Sequence, residues 1–232
     1  MSDVFAADRI IWVEGPTEEL CFPLLYEKSA GKPMPRGSIF TSVLATGDFL
    51  SKKRDRKLVY DIYSRLSSAA TPLVVSVKFS FDSEELSDTD QAEMARESRG
   101  HLQFLPRRHL ECYVIDAPAI AAFIAARDPQ SAGAITVDMV TNKLREEAAT
   151  ARFAIVEWSG DLESDAWQAK VDAAKLISTV CASLSEQRAT FNKKDDTLTL
   201  LKHVLATRPE HLTALTTYVH QLVDDVGAAT SA

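Results

Sequence analysis

Two short apolar, β-branched runs in this chain end abruptly in carboxylates, and that pattern limits the fold more than any other feature. The first is Arg9–Val13 (RIIWV), followed at once by Glu14-Gly15-Pro16-Thr17-Glu18. The second is Leu73–Phe81 (LVVSVKFSF), which runs into Asp82-Ser83-Glu84-Glu85. An apolar run of this kind predicts a buried strand, and Pro16 just past the first run predicts a helix starting there and reaching about Lys28. Ser38–Leu44 (SIFTSVL) reads as a further strand after the Pro/Gly loop 31–37. Leu58, Val59, Ile62 and Leu66 fall at helical spacing within 49–69, and Pro72 stops that helix. His101–Leu105 supplies a fourth short strand, and Ala117–Ala126 a helix.

Strand alternating with helix through short loops implies an α/β fold with a parallel sheet flanked by helices. In such sheets ligands collect at the carboxyl ends of the strands. Beyond Thr136 the pattern changes, with helices expected over Thr136–Ala151, Ser164–Glu186, Thr197–Thr207 and Pro209–Val226. The expected organisation is a catalytic α/β domain over 1–130, with a helical C-terminal region over 131–232 packed on it.

Composition narrows the setting. At 232 residues, with 46% hydrophobic and 25% charged side chains, the chain can bury a core without cross-links. Cys21, Cys112 and Cys181 are odd in number and widely spaced, which is neither a disulfide framework nor a zinc spacing and suits a reducing compartment. The acidic N-terminal residues do not resemble a signal peptide, and no apolar run approaches the roughly 18 residues of a membrane span. A cytoplasmic location is therefore expected. A net charge of −7 excludes a uniformly basic surface, so nucleic-acid contacts must come from local patches.

The acidic residues carry the chemistry. Glu18 follows Glu14 by four residues, so a helix starting at Pro16 keeps both near one strand end. Asp82 and Glu84, at i and i+2 in an extended segment, point the same way. Two such strands side by side would gather all four, and carboxylates at short range are relieved by a divalent cation with hard oxygen ligands, Mg²⁺ or Mn²⁺. The plainer account of the same residues is a first-turn glutamate favoured by the helix dipole and a solvated strand exit.

The run Ile10-Ile11-Trp12-Val13-Glu14-Gly15-Pro16-Thr17-Glu18 resembles the strand, glutamate and glycine turn that opens Toprim domains, especially those of the OLD family of ATPase-associated nucleases. Ser80-Phe81-Asp82-Ser83-Glu84 is similar to the family's second element, a strand ending Asp-x-Asp, with Glu84 replacing the second aspartate and reaching one methylene further. Ala45-Thr46-Gly47-Asp48-Phe49 resembles its glycine turn after strand two, and Arg107-Arg108-His109-Leu110-Glu111-Cys112-Tyr113 its arginine-rich Glu-x-Tyr segment. The likeness spans Ala7 to Ala126, and its two acidic motifs are the specific part. It implies metal ligands Glu14, Glu18, Asp82 and Glu84, with Glu14 and Asp82 catalytic. It also implies a late lysine, for which Lys194 in Phe191-Asn192-Lys193-Lys194 is chosen over Lys193. Arg107 and Arg108 are the candidates for nucleic-acid phosphates.

Other patterns carry less. Asp88-x-Asp90 lies in a polar loop, and Lys52–Lys57 reads as a solvated helix face. The five histidines lack metal spacing, no GxSxG surrounds a serine, and no GxxxxGK[ST] loop is present. ATP hydrolysis is thus assigned to a partner chain or domain. The expected function is a Mg²⁺- or Mn²⁺-dependent Toprim-type endonuclease acting on DNA, with a role in anti-phage defence implied by the resemblance. The alternatives are a non-catalytic Toprim-like module that regulates an ATPase partner or binds nucleic acid, and another phosphoryl transfer such as RNA cleavage or primase-like synthesis.

Overall fold

The computed structural model describes residues 7–43, 61, 65, 76–83, 86–131, 133–150, 152–154 and 156–224. The expected helix over 49–69, apart from Asp61 and Arg65, lies outside the described residues. So do the basic run 52–57, the turn at Thr46–Asp48, the start of the third strand before Ser76, and Glu84 with Glu85.

The chain divides into two compact units. The first comprises residues up to Pro106 and those from Ala214 onward, and the second is Arg107–Thr213. This division falls earlier than 130, and it returns the last helix to the sheet-containing unit.

In the first unit, β1 (Arg9–Val13), β2 (Ser38–Ser42), β3 (Ser76–Phe81) and β4 (Leu102–Phe104) form one parallel sheet in the order β2-β1-β3-β4. Helix α1 (Pro16–Ala30) connects β1 to β2, and α2 (Asp88–Glu97) connects β3 to β4. The two crossovers run in opposite directions from the centre of the sheet. Because such connections are right-handed, their helices cover opposite faces.

Side-chain contacts agree with this. Ile10, Trp12, Phe79, Phe81 and Met94 of α2 belong to one core cluster, with Val77 packed against it. On the other face, Phe22 of α1 meets the ring of Phe40 edge-on at 5.6 Å. The last helix, α8 (Thr213–Asp224), packs on that same face: Tyr218 meets Phe22 at 6.3 Å and hydrogen-bonds Ser80.

Helix α2 was not legible as a helix. Met94 is its one buried residue, so no apolar period marks it, and its start is fixed instead by the Ser87 hydroxyl accepting from the Asp90 amide.

The second unit is helical: α3 (Ala117–Arg127), α4 (Val137–Ala148), α5 (Asp165–Gln168), α6 (Ala173–Leu184) and α7 (Lys193–Thr207), with 3-10 turns at Leu110–Tyr113 and Pro209–Leu212. The single helix expected over Ser164–Glu186 is broken. Val171 forms an antiparallel bridge to Ala154, and the Asp172 carboxylate then caps α6 by accepting from the Lys175 amide. Helix α7 starts earlier than expected because Asn192 caps it through the Lys194 amide. Among the described residues, no helix is long and apolar enough to cross a membrane.

Gly37 admits chain β1 beside β2. Its carbonyl accepts from the amides of both Asp8 and Arg9, its φ is +76°, and a Cβ there would lie 2.5 Å from the Asp8 carboxylate. Gly31, the left-handed cap of α1, has φ +63° and open space around it. Gly31→Ala should cost about 1–2 kcal/mol from backbone conformation alone. Gly37→Ala should cost more, because the steric conflict adds to it, and urea unfolding of the two variants measures the difference.

Candidate functional site

The sheet order places a topological switch point between β1 and β3: from β1 the chain crosses to one side, from β3 to the other. Crevices outside the carboxyl ends of the strands at such a point are where open α/β sheets take ligands. Val13 is in register with Ser80, so Glu14 and Asp82 leave the two central strands side by side. Their contact is direct, since the Asp82 amide donates to Glu14 Oε2 at 2.9 Å. Glu14 is half-buried, and Asp82 is 6% exposed.

The β1–α1 turn supplies two more carboxylates. Glu18 is buried, and its Oε2 folds back over the backbone of Gly15, where a Cβ would stand only 3.0 Å away. Gly15 has φ −138°, an extended conformation open to any residue, so a side chain there would meet only the tip of Glu18, which would have to shift by a few tenths of an ångström. Glu19 turns the other way and ties down β2, its Oε2 accepting from the Ser42 amide at 2.9 Å and the Ser42 hydroxyl at 2.6 Å. Sequence reasoning missed Glu19, because nothing in its spacing marks a contact with β2.

The strand ends thus bring Glu14 and Asp82 together, with Glu18 buried in the adjoining turn. Among the described residues, no set of three or more His, Cys, Asp or Glu side chains is close enough to hold a metal ion. Glu84, the fourth expected ligand, lies outside the described residues.

The remaining expected residues belong to the second unit. Lys194 is exposed in the first turn of α7, and its amide donates to Asn192 Oδ1 at 3.0 Å. Lys193, its neighbour, helps stabilise the buried Glu111 carboxylate by its charge. Arg107 has internal partners: its guanidinium lies 4.6 Å from the centre of the Tyr113 ring, donates to the Cys112 carbonyl at 3.0 Å and pairs with Asp165 at 3.7 Å. Arg108, half-buried, donates its amide to the Ala169 carbonyl at 3.1 Å.

Two further polar clusters were not visible in the sequence. In the first unit, Ser29 Oγ lies 2.9 Å from His220 Nε2, and His220 Nδ1 lies 3.1 Å from Asp224 Oδ2. That order imitates a nucleophile relay, but its setting opposes one. Ser29 sits in the last turn of α1, where its hydroxyl donates to the Leu25 carbonyl at 2.7 Å and the helix ends in carbonyl oxygens that would repel an oxyanion. With Tyr26 donating to Asp224 Oδ1 at 2.8 Å, the cluster fastens α8 to α1.

In the second unit, His109 and Glu111 form a buried pair, Nδ1 to Oε2 at 2.9 Å, and the Thr197 hydroxyl donates to Glu111 Oε1 at 3.0 Å. Burial alone would favour the neutral ring. Hydrogen bonding to Cys112 and Glu111 outweighs it and pushes the His109 pKa up to about 11. Burial likewise opposes the Glu111 charge, and His109 outweighs it, lowering that pKa.

Comparison with protein-family models, curated proteins and solved structures gives no match to this chain.

The buried pair sets a pH dependence. A histidine whose pKa is raised on folding stabilises fully below its ordinary value of 6.5, and that contribution drains away as pH climbs toward about 11. Unfolding free energy should therefore fall through this window in the wild type. His109→Gln should flatten the fall, as read by urea unfolding at a series of pH values. Glu111, with its pKa lowered, contributes in the opposite sense, its share being lost as pH drops below the ordinary carboxylate range.

Proposed function

We propose that the crevice at the carboxyl ends of β1 and β3 is a Toprim-type divalent-metal site, and that the protein is a Mg²⁺- or Mn²⁺-dependent endonuclease of the OLD type acting on DNA. The observation that carries this reading is the hydrogen bond between Glu14 and the Asp82 amide across the switch point. It brings the acids that end the two central strands to the position where such sheets take their ligands.

The donor set is chemically suited to the ion. Carboxylates are hard oxygen ligands, and a magnesium site needs only one or two of them, with waters and substrate phosphate completing the octahedron. Glu14 and Asp82 would hold the ion, with Glu18 and Glu84 as further or water-mediated ligands. A bound divalent ion supplies charge neutralisation at phosphoryl oxygens and an acidified water. For the residues themselves, Glu14 holds the Asp82 backbone at the strand exit. Lys194 would offset charge growing on phosphate, and Arg107 and Arg108 would contact the DNA backbone. An ATPase partner chain or domain and a role in anti-phage defence rest on the resemblance of the acidic motifs to the OLD family.

The same hydrogen bond favours a second reading. Glu14 Oε2 is already engaged by a backbone amide, as it would be in a non-catalytic module that keeps the architecture and serves to bind an ATPase partner or a nucleic acid.

Glu14→Gln and Asp82→Asn separate the two, since each removes a ligand charge at nearly constant volume. Both variants should fold and lose metal-dependent nicking of plasmid DNA. Mn²⁺ at a hundredfold excess over its Kd should stabilise the wild type by about 2.7 kcal/mol, and each variant by less. Equal stabilisation of all three proteins would place the ion elsewhere. Metal binding by the wild type with no cleavage would favour the second reading.

A further inference from the structure

Strand β3 lies inside a parallel sheet with helices on both faces, a setting in which strands are normally apolar throughout. One of its faces obeys that rule, with Phe79 and Phe81 in the core cluster and Val77 packed against it. The other carries Lys78 and Ser80, 7% and 1% exposed, followed two residues later by Asp82. Buried polar groups need partners, and α8 provides them. The Ser80 and Tyr218 hydroxyls lie 2.7 Å apart, and Lys78 Nζ donates to the Gln221 carbonyl at 2.7 Å.

Apolar side chains in these places would give the helix a tolerant seat, since dispersion contacts survive small slides. Hydrogen bonds do not, because they weaken steeply with distance and angle. Two of them, to alternate residues of one strand face, fix α8 against β3 in one register. Tyr218 makes the one nearer in sequence to the strand exit, two residues before Asp82, from a helix 138 positions further along the chain. Tyr218 is itself only 4% exposed, held by its ring contact with Phe22 of α1, the helix that also carries Glu18.

We infer that Tyr218 is a positioning residue for Asp82: by holding Ser80 it keeps the end of β3 in the geometry that the Asp82–Glu14 hydrogen bond requires. Its hydroxyl does not touch the substrate in this reading, and it acts through the strand. The positioning claim stands on β3 and α8 alone, while its consequence for metal affinity rests on the metal site proposed above.

The test compares Tyr218→Phe with Tyr26→Phe in the full chain. Each variant removes one hydroxyl that docks α8, but the Tyr26 hydroxyl binds Asp224 at the far end of that helix, away from the strand exit. NMR-detected hydrogen exchange at the Asp82 amide is the direct readout. In Tyr218→Phe it should accelerate roughly fivefold to tenfold, the scale of one lost buried hydrogen bond, with Val13 and Phe40 amides unchanged. In Tyr26→Phe the melting temperature should fall while Asp82 exchange stays at the wild-type rate. An unchanged Asp82 rate in Tyr218→Phe, or equal acceleration in both variants, overturns the inference, because the hydroxyl would then serve only general docking.

Mn²⁺ titration gives the second readout. Tyr218→Phe should weaken binding several-fold and Tyr26→Phe should not, and wild-type affinity retained in Tyr218→Phe also overturns the inference. If the wild type binds no Mn²⁺, the metal reading falls, and the exchange rates alone decide the role of Tyr218.

Discussion

The Asp82 amide donating to Glu14 Oε2 joins the exits of two parallel strands that are distant in sequence, and much of the first unit converges on that contact. A strand's last residues lack the ladder partners that hold its middle, so a carboxylate that accepts from the next strand's amide does what a further rung would do. The β1–α1 turn repeats the device on the other side, where Glu19 accepts from Ser42 at the end of β2. One turn therefore fixes the carboxyl ends of three adjacent strands.

Helix α8 explains how a sheet of four short strands is closed on that face. From Ala214 onward it belongs to the first unit, although the second unit, Arg107–Thr213, is inserted between β4 and that point. Its seat is polar where it meets β3 and aromatic where it meets α1, with Tyr218 taking part in both. The Tyr26, Asp224, His220 and Ser29 cluster then fastens its last turn to the end of α1. The buried Ser80–Tyr218 bond is the contact that restricts the helix to one register, because hydrogen bonds weaken steeply with distance and angle.

The second unit is organised by charge at its helix ends. Asp116 caps α3 and pairs with Arg208 at 2.7 Å, Asp128 at the other end of α3 pairs with Arg188 at 2.9 Å, and Asp196 in the first turn of α7 pairs with Arg127. Asp116, Asp128 and Asp196 are all buried, so each arginine offsets a desolvated carboxylate and not merely a surface charge. His109 and Glu111 do the same within the core of this unit, which is why one buried histidine there can be charged across the neutral pH range. Arg107, a candidate for nucleic-acid phosphates, also has partners inside this unit in Tyr113, the Cys112 carbonyl and Asp165.

The sequence by itself determined the strands and the places where they end. Ile10, Ile11 and Val13, then Val77, Phe79 and Phe81, are patterned for burial, and the carboxylates that follow each run mark the exits; the alternation with helices made the sheet parallel. Local chemistry also set the start of α1 at Pro16 and the helical character of the second half, because those signals lie within a few residues of one another. Tertiary structure alone decided what depends on distant partners. The engagement of Glu19 with Ser42, the break at Val171 at its bridge to Ala154, and the return of Tyr218 to Ser80 all join residues whose types and spacing carry no trace of one another. Periodicity reports which face of an element is buried, and it is silent on what buries it, so the acids at the strand ends were legible while the hydroxyl and amide that hold them in place were not.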